Sequence, residues 1–189
     1  ARAIQQAANN RSGRLALKSL VKVIAISEFI SNALLLTPDL CAELLSQDDV
    51  LKRRALPNLK TLVRDCLRTS NNIPELMIAL RLIRRREMTR IGWRDLAGFA
   101  SLDEVMTNLS FLADETIRVA LIMAHNVVSK EYGHPIGAQT KRELTLVVLG
   151  LGKLGGNELN FSSDVDLIFA YAESGVPNGS KSISNQEYF

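Results

Sequence analysis

The stretch GKLGGNELNFSSDVDLIFAY, from Gly152 to Tyr171, constrains this chain more tightly than any other. The preceding ELTLVVLGLG is short, apolar and rich in β-branched residues, which predicts a buried strand; VDLIFAY predicts a second strand. Between the two strands stand the adjacent glycines Gly155 and Gly156, then seven residues, then Asp164, Val165 and Asp166. Side chains alternate along a strand, so Asp164 and Asp166 are expected on one face, with Val165 turned into the core. Two carboxylates that close repel each other and are held together by a cation or a shared proton. Hard oxygen ligands of this kind suit magnesium together with substrate phosphates. Gly155 and Gly156 lack a Cβ, so backbone there can approach a ligand, and N–H groups in such a turn suit a phosphate. Ser163 offers a hydroxyl directly before the first aspartate. A lone D-x-D is commonly a solvated strand end, and two glycines are commonly just a turn. The combination is sharper: a phosphate cradle beside a magnesium pair, as phosphoryl or nucleotidyl transfer requires.

Upstream, residues 1–130 read as helix after helix. Apolar residues recur at helical spacing from Arg14 to Leu36. Thr37 and Pro38 suit the N-cap and first position of a short helix over 38–45. Another helix is expected over 57–67, and NNIPEL opens a long one, with Pro74 near its start, that runs to about Phe99 and slackens at Gly92. SLDE at 101–104 has the form of a capping box before a helix that runs to about Ser129. Residues 131–142 lack helical period and contain two glycines and a proline, so they read as a linker. Residues 143–189 open an α/β domain with a loop-like tail. The expected class is α+β: a mostly helical N-terminal region, then the start of an α/β domain with an incomplete mixed sheet.

The remaining composition narrows the choices. The hydrophobic fraction is 47% and the charged fraction 23%, ordinary for a globular protein with a real core. The 23 basic and 20 acidic residues leave a net charge of only +3, too small to argue for nucleic acid or membrane as a partner. Arg81, Arg84, Arg85, Arg86 and Arg90 cluster on the long helix. Aromatic residues to stack bases are few, so most of these arginines are expected on a solvated face pairing with Glu87, with one or two free to meet an anionic ligand. Trp93 is expected as a core anchor, and Cys41 and Cys66 as small apolar residues. The two cysteines form no CxxC pair, and a reduced, cytoplasmic setting fits them. His125 falls in a helix and His134 in the linker, which argues against a metal role for either.

The glycine–aspartate pattern resembles the signature of the DNA polymerase β-like nucleotidyltransferase superfamily. VVLGLGKLGGNELNFSSDVDLIFAY, RREMTRIGWRDLAGFASLDE and ISNQEYF together resemble the bacterial bifunctional glutamine synthetase adenylyltransferase/adenylyl-removing enzymes. ELNFSSD is similar to the N-terminal, adenylyl-removing copy of the two nucleotidyltransferase domains in that family. The resemblance implies Mg2+ at Asp164 and Asp166, which would be the catalytic pair, and phosphate contacts from Gly155, Gly156 and Ser163. Lys153 either helps hold a phosphate or is a solvated turn lysine. The implied reaction is removal of AMP from adenylylated glutamine synthetase by phosphorolysis, in nitrogen assimilation. Phosphate and ADP or ATP are the implied small partners, and the nitrogen-regulatory PII protein is implied through a longer polypeptide.

Two alternatives stay open: the half that adds AMP from ATP, and a helical binding or regulatory module without turnover. The chain lacks an initiator Met and stops soon after a strand-like segment, so a piece of a longer polypeptide is expected. The superfamily pattern also uses a third carboxylate from a later strand. After Asp166 the acids are Glu173 and Glu187, both in loop-like or terminal sequence. The expectation is therefore two of three metal ligands, an open strand edge and little catalysis from this chain alone.

Overall fold

The computed structural model describes residues 5, 8–9, 11–46 and 49–189. The helices are α1 (Arg11–Ile26), α2 (Glu28–Leu36), α3 (Pro38–Ser46), α4 (Leu56–Thr69), α5 (Ile73–Ala97) and α6 (Leu102–Tyr132). Then follow β1 (Pro135–Gly137), β2 (Val147–Gly150), a single helical turn α7 (Gly152–Gly155), β3 (Leu167–Ala170), β4 (Gly175–Pro177) and a terminal turn α8 (Asn185–Tyr188). The chain is α+β and mostly helical. Its strands form two antiparallel pairs, β1 with β4 and β2 with β3, so no parallel pairing occurs among the described residues.

The apolar spacing from Arg14 to Leu36 belongs to two helices, bent by 113° at Ser27. Ser27 is extended and its hydroxyl accepts from the Ile30 N–H at 3.2 Å, which caps α2. Thr37 closes α2, its N–H donating to the Ala33 carbonyl at 3.1 Å. No single helix among the described residues is long and apolar enough to cross a membrane. Farther on, α5 runs unbroken through Gly92 and ends where Gly98 takes a left-handed conformation. Gly92 is a packing site: a Cβ there would meet the Phe161 ring at 3.4 Å.

Two apolar cores share α5. Leu59 and Val63 of α4, Leu76 and Ile91 of α5, and Leu109 and Val119 of α6 build the larger one. Ala16, Val23, Ile30, Leu34 and Leu44 close around Trp93 in the other. Trp93 is fully buried, and its indole N–H donates to Ser19 Oγ at 2.8 Å, so the ring's one polar atom is satisfied.

The arginine cluster divides between the solvated face expected of most of it and a buried network around Glu87. Arg81, Arg84 and Arg85 are exposed, but Arg86 is mostly covered and Arg90 is 1% exposed. Arg54 donates to Asp49 at 2.6 Å and to Glu87 Oε1 at 2.5 Å; Arg86 donates to Asp49 at 2.7 Å and also to Glu87. The Arg90 Nε lies 3.6 Å from Asp49 and 3.9 Å from Glu87, without a hydrogen bond. One turn on, Arg94 spans Glu104 Oε1 at 2.8 Å, the Val50 carbonyl at 2.9 Å and the Phe99 carbonyl at 3.0 Å. Glu104 thereby leaves half of the expected capping box: Ser101 still accepts from the Glu104 N–H at 3.2 Å, while the Glu104 carboxylate serves Arg94.

A pH dependence follows from this network. Burial alone would raise the Asp49 carboxyl, but the Arg54 hydrogen bonds and the charges of Arg54, Arg86 and Arg90 outweigh it and hold it below its ordinary value. Unfolded Asp titrates near about 3.9, so the stabilisation is complete above roughly pH 4 and fades as pH falls through the lower folded value. Asp49→Asn is expected to lower stability at pH 7, with the difference from the unsubstituted protein shrinking below about pH 4. Urea unfolding at neutral and acidic pH checks this, and a pH-independent difference would refute it.

Candidate functional site

The β2–β3 pair holds the glycine turn and the two aspartates together. Val147 pairs with Ala170 and Gly150 with Leu167, and the Leu151 N–H extends the ladder to the Asp166 carbonyl at 2.9 Å. The α7 turn thus leaves β2 directly beside Asp166. Leu154 and Leu159 anchor the following loop in the larger helical core. The Leu159 N–H also donates to the buried Ser110 Oγ of α6 at 3.0 Å, and Phe161 lies against Gly92. Helices α5 and α6 therefore fix both ends of the loop that leads into Asp164.

The strands themselves are not buried. Val147, Leu149, Ile168 and Phe169 are each about half exposed, and Val165, expected in the core, is 38% exposed. Both outer edges of the pair are open among the described residues. A continuous apolar run in sequence resembles a strand covered on both faces, which is why burial was expected.

Asp166 lies immediately before β3 and Asp164 two residues earlier, so both precede the strand they were expected to lie on, and both are exposed. Neither carboxylate makes a hydrogen bond or ion pair among the described residues. Two unpartnered carboxylates, one residue apart beside a turn, form an all-oxygen donor set of the kind magnesium takes, so the residues present fit that ion.

The glycine turn differs in detail from the expectation. The Gly155 and Gly156 N–H groups already donate inside the turn, to the Leu151 carbonyl at 3.3 Å and the Gly152 carbonyl at 3.0 Å. The N–H groups left without an acceptor among the described residues are those of Gly152, Lys153 and Leu154, at the start of the turn. Gly155 answers a packing demand: a Cβ there would sit 2.5 Å from the Gly150 carbonyl oxygen of β2. At Gly156 the closest contact would be an ordinary 3.6 Å. Gly155→Ala is therefore expected to lose about 1–3 kcal/mol by pushing α7 off the strand. Gly156→Ala is expected to stay within about 0.5 kcal/mol. Urea unfolding of both variants checks this contrast, and equal losses would overturn it.

Ser163 is committed locally. Its hydroxyl donates to Asn160 Oδ1 and accepts the Asn160 N–H at 3.3 Å. A hydroxyl has one proton to give, so this bond must open before Ser163 can donate to a phosphate. Asn160 thereby shapes the approach to Asp164. Lys153 is exposed and makes no ion pair among the described residues. Glu173 accepts from the Gln139 N–H at 2.7 Å and from Thr140, and hydrogen bonds from Thr140 and then Gln139 hold its carboxyl below the usual range. Glu187 completes a capping box with Ser184. Both later acids are thus used elsewhere, as their loop context suggested.

Two clefts flank the aspartate strand. One, of about 270 Å³, is lined by Arg84, Asn160, Ser163, Val165 and Leu167. The other, of about 350 Å³, joins Asp114 and Arg118 of α6 to Gly150, Leu154 and Leu167. Burial, the largest effect, raises the Asp114 carboxyl. Sequence reasoning passed over Asp114 and Arg118 because they lie some fifty residues from the motif they face.

A family model described as glutamate-ammonia ligase adenylyltransferase matches residues 17–189. A bifunctional glutamine synthetase adenylyltransferase/adenylyl-removing enzyme from Nitrosococcus oceani is 44% identical over 92% of this chain and 18% of its own length. The protein of the same name from Pseudomonas aeruginosa is 37% identical over the same shares, and that from Nitrosomonas europaea is 51% identical over 58% of this chain and 12% of its own length. The chain spans about 18% of the length of the relatives it matches along most of its own extent. With a family model covering nearly the whole chain, it belongs to the glutamate-ammonia ligase adenylyltransferase family.

Proposed function

We propose that this chain carries part of a nucleotidyl-transfer site that removes AMP from adenylylated glutamine synthetase. The observation that supports it is the β2–β3 pairing, which sets the α7 turn beside the exposed and unpartnered Asp164 and Asp166. In the reaction an oxygen of inorganic phosphate attacks the phosphorus of the AMP–tyrosine phosphodiester. The bond from phosphorus to the tyrosine oxygen breaks, ADP forms, and the tyrosinate takes a proton from solvent. Asp164 and Asp166 would hold magnesium, which when bound neutralises charge on the transferred group. The N–H groups of Gly152, Lys153 and Leu154, with the Lys153 ammonium, orient phosphate oxygens for in-line attack. Arg84 borders the adjoining cleft and adds positive charge beside Asn160 and Ser163. The exposure of both carboxylates suits a substrate presented on another protein, where a tyrosine must be brought to the site from outside.

The third carboxylate of the superfamily pattern has no counterpart after Asp166 among the described residues, so this chain alone is expected to turn over little. PII control belongs to the longer polypeptide, working in the cytoplasm. The test uses that longer polypeptide with adenylylated glutamine synthetase. Phosphate and magnesium together should yield ADP and unmodified enzyme, without ATP. Adenylylation from ATP at this site, with no response to phosphate, would assign it to the opposite reaction. Binding of glutamine synthetase with neither reaction at this site would leave a regulatory module.

A further inference from the structure

We propose a second metal site, distinct in chemistry from the aspartate pair: a zinc-type site made by His125, His134 and Glu143. One ligand atom from each of the three residues lies within 4.8 Å of the others, the one such group among the described residues. Both imidazoles turn toward the same carboxylate oxygen. His134 Nδ1 is 2.9 Å from Glu143 Oε1, and His125 Nε2 is 3.8 Å from it. Zinc bonds of about 2.0–2.1 Å in tetrahedral geometry place neighbouring ligand atoms roughly 3.3 Å apart, so these two separations bracket the required edge.

The three ligands come from separate elements that are each held in place. His125 lies on α6, ahead of that helix's C-cap at Gly133. His134 follows that cap, its N–H donating to Asn178 Oδ1 at 2.8 Å and its carbonyl accepting the Asn178 N–H at 3.0 Å. Glu143 is bridged to Ile136 of β1, and the next N–H, of Leu144, donates to the Pro135 carbonyl at 2.8 Å. The ring nitrogen of His125 turned away from Glu143 meets the Tyr188 hydroxyl at 3.4 Å. Such an outer partner sets which nitrogen faces a metal. An apolar groove of about 250 Å³, lined by Leu121, Val128, Leu146 and Phe189, flanks this ring and lowers the local dielectric.

The donor set identifies the ion. Two imidazoles and one carboxylate favour zinc or a similar borderline cation over magnesium, which prefers oxygen throughout. Three protein ligands leave a fourth position for water. Half of the His134 and Glu143 side-chain surface is exposed, so an ion can reach the site. Without a metal, the same groups make one hydrogen bond, and the second imidazole stands 3.8 Å from the carboxylate. A bound ion would clamp the end of α6 to the β1 region and, through Tyr188, to α8.

Zinc titration of the EDTA-treated chain by calorimetry tests the proposal, with cobalt(II) absorption reporting tetrahedral geometry. One ion per chain is expected, undisturbed by excess magnesium. His134→Ala and Glu143→Gln should each weaken binding at least about tenfold, and Tyr188→Phe by about tenfold through the lost outer contact. Asp164→Asn should leave zinc binding unchanged, which keeps this result separate from the nucleotidyl-transfer reading. Zinc should also raise the melting temperature of the unsubstituted chain and not that of His134→Ala, whose helical circular dichroism verifies that it folds. Absent binding, binding retained in His134→Ala, or displacement by magnesium would each overturn the assignment.

Discussion

Glu87→Ala is expected to lower the stability of this protein by about 3–5 kcal/mol, because it strands buried cations without their counter-charge. Glu87 is 1% exposed, accepts from Arg54 and Arg86, and lies within ion-pair distance of Arg90. Removing it leaves Asp49 to serve three guanidinium groups, helped only at Arg86 by the half-exposed Glu43 at 3.5 Å. At about 2–4 °C per kcal/mol for a chain of this size, the melting temperature should fall by roughly 10 °C. Thermal and urea unfolding followed by helical circular dichroism measure this. A loss under about 1 kcal/mol would mean that the cations find water or other acids when the carboxylate goes. Arg90→Met is the informative contrast. Burial depresses the Arg90 pKa, and its Nε and Nη2 have no hydrogen-bond partner. Replacing this charge with an apolar chain of similar length is expected to stay within about 1 kcal/mol, since a buried charge this poorly satisfied gains little from its neighbours.

The same network shows where sequence reading stops. Ser101 announces its helix because a cap is a local event, its side chain accepting the N–H three residues on. The glycine turn and the aspartate pair are legible for a similar reason: their spacing is set by one strand–turn–strand unit. The burial of Arg86, Arg90 and Arg94 is not legible, since their partners Asp49 and Glu104 come from outside α5. With charges turned inward, α5 lacks a clean apolar stripe, and an arginine run reads as a wet face. His125, His134 and Glu143 fail the usual spacing of metal ligands along a sequence. They meet because Gly133 turns the chain at the end of α6 and the bridge from Ile136 brings Glu143 back. The bend at Ser27 is hidden as well, because apolar spacing continues in phase on both sides of it.

Asp164→Asn, made in the longer polypeptide, is expected to reduce phosphate-dependent release of AMP from glutamine synthetase by about 10²–10³-fold in kcat, the range for losing one preorganised charge-stabilising group. Asp166→Asn should do the same, and the double variant little more, since both carboxylates act on one ion. Stability should hardly change. Asp164 is exposed and unpartnered among the described residues, so its amide isostere should unfold within about 0.5 kcal/mol of the unsubstituted protein. A packing residue such as Gly155 loses activity together with stability, whereas a ligand on the surface loses activity alone. Raised magnesium should recover part of the Asp164→Asn rate if the substitution weakens ion binding, because mass action refills a weakened site. Activity unchanged by either substitution would remove the aspartates from the reaction and leave the glycine turn as architecture.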